Sequence, residues 1–118
     1  MKVPKYVAWR PEAIRVMGRN FSIAFLPPHP MGDVALGICN NAELTIDIQE
    51  GQHPIEEADT LIHEVLHAIW FVMSASMGGA DEEVIVRRMS TGLIGVFMDN
   101  PHFLRYLLEI EKEANPTK

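Results

Sequence analysis

The stretch Pro54-Ile55-Glu56-Glu57-Ala58-Asp59-Thr60-Leu61-Ile62-His63-Glu64-Val65-Leu66-His67-Ala68-Ile69-Trp70-Phe71-Val72-Met73, running on to Met77, decides the reading of this chain. It opens on a proline suited to a first helical position, carries Glu56 and Glu57 in its first turn and ends against Gly78-Gly79, which predicts one long helix over 54–77. At about 100° per residue, Glu56, Asp59, Thr60, His63, His67, Trp70 and Ser74 share one stripe. Leu61, Ile62, Val65, Ala68, Ile69, Val72 and Met73 cover most of the remaining surface, so the helix is expected to be largely buried. Two histidines and a carboxylate in the middle of such a helix then call for hydrogen-bonded or ligated partners.

Working outward, Asp81 is a good N-cap for a second helix to about Met98. Asn100-Pro101 opens a third helix to about residue 114, with Phe103, Leu104, Leu107 and Leu108 on one face. The half before Gly51 reads differently. Pro11 to Met17 suggest a short helix stopped by Gly18, and Phe21, Ile23 and Phe25 then alternate as in a half-buried strand. Pro27, Pro28 and Pro30 force a loop, and Leu36 and Ile38 suggest a second strand. Leu44, Ile46 and Ile48, alternating with Glu43, Thr45, Asp47 and Gln49, make the cleanest strand, joined to the one before it by a turn at Asn40-Asn41. The sum is an α+β fold, with a small, mostly antiparallel sheet over about 20–50 packed on two long helices and a terminal one.

The 118 residues suit one domain spanning 1–118, and 47% apolar with 22% charged residues is ordinary globular composition. A formal charge of −6, with no basic cluster beyond Arg87-Arg88, argues against a nucleic-acid groove. The most apolar segment, Leu61 to Met73, is interrupted by His63, Glu64 and His67, which argues against a membrane span. The single cysteine, Cys39, cannot form an internal disulfide and reads as a small buried hydrophobe; the start of the chain lacks a signal-peptide pattern. A cytoplasmic protein is the expectation.

His63-Glu64-Val65-Leu66-His67 carries the chemistry. Four residues is slightly more than one helical turn, so both imidazoles project from the same side and can bind one metal ion, with Glu64 close enough to act on water beside it. Catalytic zinc usually takes three protein ligands, so a third should come from a neighbouring element. Glu82 and Glu83 are the candidates. Ile85, Val86, Met89, Leu93, Val96 and Phe97 set an inward face centred almost on Glu82, whereas Glu83 falls in register with Arg87 as an exposed i, i+4 pair. Glu82 is therefore preferred, with Glu83 as the fallback.

His63-Glu64-Val65-Leu66-His67-Ala68, a glycine-bearing turn and Asp81-Glu82-Glu83 opening another helix resemble the gluzincin group of zinc metallopeptidases in a minimal, single-domain form. The run from Asp59-Thr60-Leu61 to Asp99-Asn100-Pro101 resembles short metallopeptidases of bacteriophages and prophages, and the resemblance covers about residues 36 to 105. It implies a zincin-like fold, Zn2+ on His63, His67 and one of Glu82 or Glu83, and Glu64 as catalytic base. It also implies a protein or peptide substrate lying along the strand Glu43 to Gln49, in the cytoplasm of a bacterial host. Val86 and Arg87 stand where several larger members have an aspartate, and the larger members' separate C-terminal domain is expected to be absent from this minimal form.

Tyr106, His102, Arg87 and Arg88 are the candidate donors to a developing oxyanion. Asp59, one turn before His63, reads equally as an orienting carboxylate or as an exposed helical residue. The leading expectation is a zinc-dependent peptidase. A zinc-binding but non-catalytic regulatory or interaction module is the alternative, together with a metal-free interaction protein whose polar stripe mates with another chain.

Overall fold

The computed structural model describes residues 3–28, 36–77 and 81–117, the side chains of 74–77 excepted. The elements follow in the order α1 (Lys5–Ala8), β1 (Ala13–Val16), β2 (Arg19–Leu26), β3 (Gly37–Asn40), β4 (Thr45–Gln49), α2 (Pro54–Met77), α3 (Glu82–Asp99) and α4 (Pro101–Ala114). The fold is α+β, a four-stranded mixed sheet with helices packed on it.

The sheet order is β1-β2-β4-β3, with β1–β2 and β3–β4 antiparallel and the central β2–β4 pair parallel. The register lines up one apolar row of Cys39, Ile46 and Ile23 and another of Gly37, Ile48 and Phe25. Ile14, Val16 and Phe21 extend that apolar face across β1 and β2, and all three are fully buried. The alternate residues Ser22, Asn40, Arg15 and Asn20 are exposed, giving a sheet with one covered and one wet face. Each fully buried Ile or Phe contributes about 1.5–3 kcal/mol, so these rows dominate the attraction between sheet and helices.

Residues 13–16 are a strand and not the helix expected over Pro11 to Met17. Ile14 and Val16 alternate with exposed Ala13 and Arg15, and Met17 and Gly18 both take positive φ, at 50° and 86°, turning β1 into β2. In the β3–β4 hairpin the Asn40 side chain accepts from the N–H groups of Ala42 and Glu43, both at 3.0 Å, and the left-handed residue is Leu44 (φ 57°).

The long helices begin and end close to the positions expected. Asp81 caps α3 by accepting from the Val84 N–H at 3.1 Å. Asn100 does not cap α4 through its side chain. Its amide instead donates to Arg15 O and accepts from Arg15 N, each at 2.9 Å, closing the outer edge of β1 in the manner of an added strand residue. On α4 the buried residues are Phe103, Tyr106, Glu109 and Ile110, while Leu104 and Leu108 are exposed, so the apolar face is rotated from the one expected.

Helix α2 is the organising element, packed against β1, β3, β4, α3 and α4. Gly92 lets α3 approach closely, because a Cβ there would lie 2.5 Å from Ile69 Cγ2. No helix of the described residues is long and apolar enough to cross a membrane.

Candidate metal centre

His63 and His67 stand one turn apart on the exposed side of α2, with Nε2 atoms 3.2 Å apart and rings edge to face. Since both are exposed, the cost of burying them does not by itself demand a ligand, contrary to the expectation from the helical wheel. Their mutual distance is the informative quantity. At this distance one ring N–H donates to the other ring's nitrogen. An ion held about 2.0–2.1 Å from each nitrogen would subtend about 100–105° between them, close to tetrahedral, so the same spacing admits a two-histidine chelate in place of that bond.

Glu64, between them in sequence, is turned in towards the sheet. It is 5% exposed and lies against β3, where a Cβ on Gly37 would be 3.0 Å from its Cγ and 3.1 Å from its Oε2. A hollow of about 310 Å³ beside it is lined by Leu36, Gly37, Asp59, Thr60, His63 and Glu64. A second hollow, of about 350 Å³, is lined by His63, Leu66, His67, Trp70 and Met89. His63 borders both, so its imidazole stands between a hollow holding carboxylates and one with mainly apolar walls.

The third expected donor is not brought to this pair. Among the described residues no group of three or more His, Cys, Asp or Glu side chains is placed to hold a metal ion. Glu82 is exposed and does not face inward as expected; Glu83 is exposed and paired with Arg87 at 3.6 Å. The α3 residue at the histidines is Met89, which lies seven residues, or about 10 Å of helix rise, beyond Glu82. Val86, counted with the inward face, is 55% exposed.

The candidate oxyanion donors are placed elsewhere. His102 packs on Trp9 with ring centroids 4.9 Å apart, Arg87 faces Glu83, and Arg88 is exposed without lining either hollow. Tyr106 is fully buried and donates to Glu57 Oε2 at 2.7 Å. Burial, followed by this bond and the Glu57 charge, holds its phenol protonated far above the ordinary range.

That last contact belongs to a cluster that sequence reasoning missed. Glu57, fully buried and two turns before Glu64 on the same face of α2, accepts from Arg10 Nη2 at 2.6 Å and Nε at 3.2 Å. Arg10 also reaches Glu50 at 3.1 Å and lies over the Phe25 ring, 4.7 Å from its centroid. Burial disfavours the Arg10 charge, but the hydrogen bonds and charge of Glu57 outweigh it and hold the guanidinium above its usual pKa. The i, i+7 spacing of Glu57 and Glu64 was the available signal for a second inward carboxylate, though nothing local indicated its partners.

Cys39 faces α2 from β3, and its thiol is pushed up to about 11 by burial and the neighbouring Glu64 charge. It is a weak nucleophile there.

β4 pairs on both sides, so the strand Glu43 to Gln49 has no edge to offer a peptide, contrary to expectation. Among the described residues the open edge belongs to β3, whose outer side pairs with no strand. The Leu36 carbonyl accepts from Gln49 N–H at 2.9 Å, and the antiparallel alternation then directs the backbone groups of Gly37 and Cys39 outward.

Comparison with protein-family models, curated proteins and solved structures finds no match.

Proposed function

We propose that this chain is a zinc-dependent peptide hydrolase working at His63, His67 and Glu64. The observation that carries the reading is the 3.2 Å approach of two imidazole Nε2 atoms beside a buried carboxylate on the same helix. Zinc at such a pair supplies a Lewis acid that acidifies water and polarises a carbonyl. Glu64 accepts the proton of the attacking water at its carboxylate and passes it to the leaving amine as the C–N bond breaks. Its burial keeps that carboxylate away from competing bulk water, with the neighbouring hollow as the approach.

The two sheet edges support a peptide as substrate. Asn100 closes the edge at β1, whereas β3 leaves the Gly37 and Cys39 backbone groups for strand addition next to Glu64. Leu66, Trp70 and Met89 on the far side of the histidines fit an apolar substrate side chain. We propose Glu82 as the third zinc donor. Its support is the sequence alone, in which Glu82 opens the helix that follows His63-Glu64-Val65-Leu66-His67 and Glu83 falls in register with Arg87.

The test is hydrolysis of an unfolded protein substrate before and after chelation. Activity is expected to vanish with the chelator and to return on adding zinc. Cleavage that survives complete removal of metal contradicts the proposal.

A further inference from the structure

Gly37 is where the open sheet edge meets Glu64. A Cβ at this position would lie 2.7 Å from Thr60 Cγ2, 3.0 Å from Glu64 Cγ and 3.1 Å from Glu64 Oε2. The first of these is closer than packed atoms come, so the strand runs against the helix at this distance only because residue 37 has no side chain. Its φ is not in the left-handed region, which leaves close approach as the reason for glycine.

The gap is also held at a fixed width. Thr60 is directed by its hydroxyl, which donates to Gln52 Oε1 at 2.8 Å, and Gln52 Nε2 donates to the Gln49 carbonyl at the end of β4, also at 2.8 Å. Gln49 N–H returns to the Leu36 carbonyl next to Gly37. These bonds close a circuit from β3 through β4 and the turn before α2 to Thr60, whose methyl group then rests on Gly37. The Glu64 side chain lies against the same glycine one turn further along α2.

We propose that Gly37 is a positioning residue for Glu64: the bare backbone of β3, spaced by the Gln49–Gln52–Thr60 circuit, confines the carboxylate at the floor of the hollow beside His63. Among the described residues, the Gly37 backbone groups that β4 leaves unpaired belong to the same residue that Glu64 rests against. A chain added to that edge would pair at the residue against which the base rests. This deepens the hydrolase reading and rests on it for its consequence, but not for its geometry.

Two readouts separate the parts. In protein carrying 13C-labelled glutamate, the Glu64 Cγ resonance is identified by its loss in Glu64→Gln. Gly37→Ala is expected to move it, and Gly37→Ala/Thr60→Ser, which removes the methyl group nearest the new Cβ and keeps the hydroxyl, is expected to return it towards the wild-type position. In parallel, Gly37→Ala is expected to lower kcat by about 10²-fold, as for a reacting group displaced by about 1 Å, with bound zinc and KM held, and the double variant is expected to recover most of the loss. An unmoved Glu64 resonance in folded Gly37→Ala overturns the proposal, even if activity falls. So does a moved resonance that Thr60→Ser fails to return. A wild-type protein that binds zinc and cleaves nothing contradicts the hydrolase reading instead, and the resonance still decides whether Gly37 places Glu64.

Discussion

Glu64→Gln is expected to lower peptide hydrolysis by about 10²–10⁴-fold, the usual contribution of a positioned general base, while leaving bound zinc unchanged. Glutamine matches glutamate in shape, so it fits the niche against Gly37 and Thr60 without disturbing β3. What it lacks is the carboxylate that accepts a proton. Glu64 is not itself one of the proposed metal donors, which is why metal content and turnover are expected to separate. The measurement is kcat together with zinc per chain on the same preparation. Hydrolysis retained at the wild-type rate would defeat the assignment of Glu64 as base.

Arg10→Ala is expected to reduce stability by about 3–5 kcal/mol, since it leaves the Glu57 carboxyl group fully buried and without its cation. For a chain of this size the loss corresponds to a fall in Tm of about 10–20 °C, and it is a large fraction of the about 5–15 kcal/mol that holds a typical domain folded. Tyr106 would still donate to Glu57 Oε2, but one phenol hydrogen bond replaces neither the guanidinium nor its contact with Phe25. The pair Arg87–Glu83 is the internal contrast: both partners are largely exposed at 3.6 Å, and Arg87→Ala is expected to change stability by less than about 0.5 kcal/mol. Urea unfolding of the two variants beside wild type measures the difference. An Arg10→Ala protein within about 1 kcal/mol of wild type would show that Glu57 is held by something other than this pair.

The long helices and the β3–β4 hairpin were legible because their ends carry local chemistry. Pro54 and Asp81 start helices wherever the rest of the chain lies, and Ile46 and Ile48 alternate clearly enough to define a strand. β1 was not legible: only Ile14 and Val16 mark its period, and the left-handed Met17 that completes the turn is no residue type that announces one. The histidine pair and Glu64 could be found in the sequence because their spacing is set by a single helix.

Contacts across the fold left weaker traces. Arg10, Glu57 and Tyr106 are separated by 47 and 49 residues, and periodicity tells which face a residue occupies without naming what meets it there. Glu82 illustrates a related limit. A helical wheel gives direction around α3, but burial on that helix centres on Gly92 and Val96, beyond the first turn where Glu82 stands exposed. Gly92 is itself invisible to an apolar count, although it permits the contact with Ile69 that sets where α3 crosses α2.

Whether His63 and His67 hold zinc is decided by counting zinc per chain in purified wild type beside His67→Ala and Glu82→Ala. About one zinc is expected in the wild type, little in His67→Ala and weakened retention in Glu82→Ala, with all three proteins folded. No zinc in the wild type after reconstitution at neutral pH, or equal zinc in wild type and His67→Ala, would contradict it.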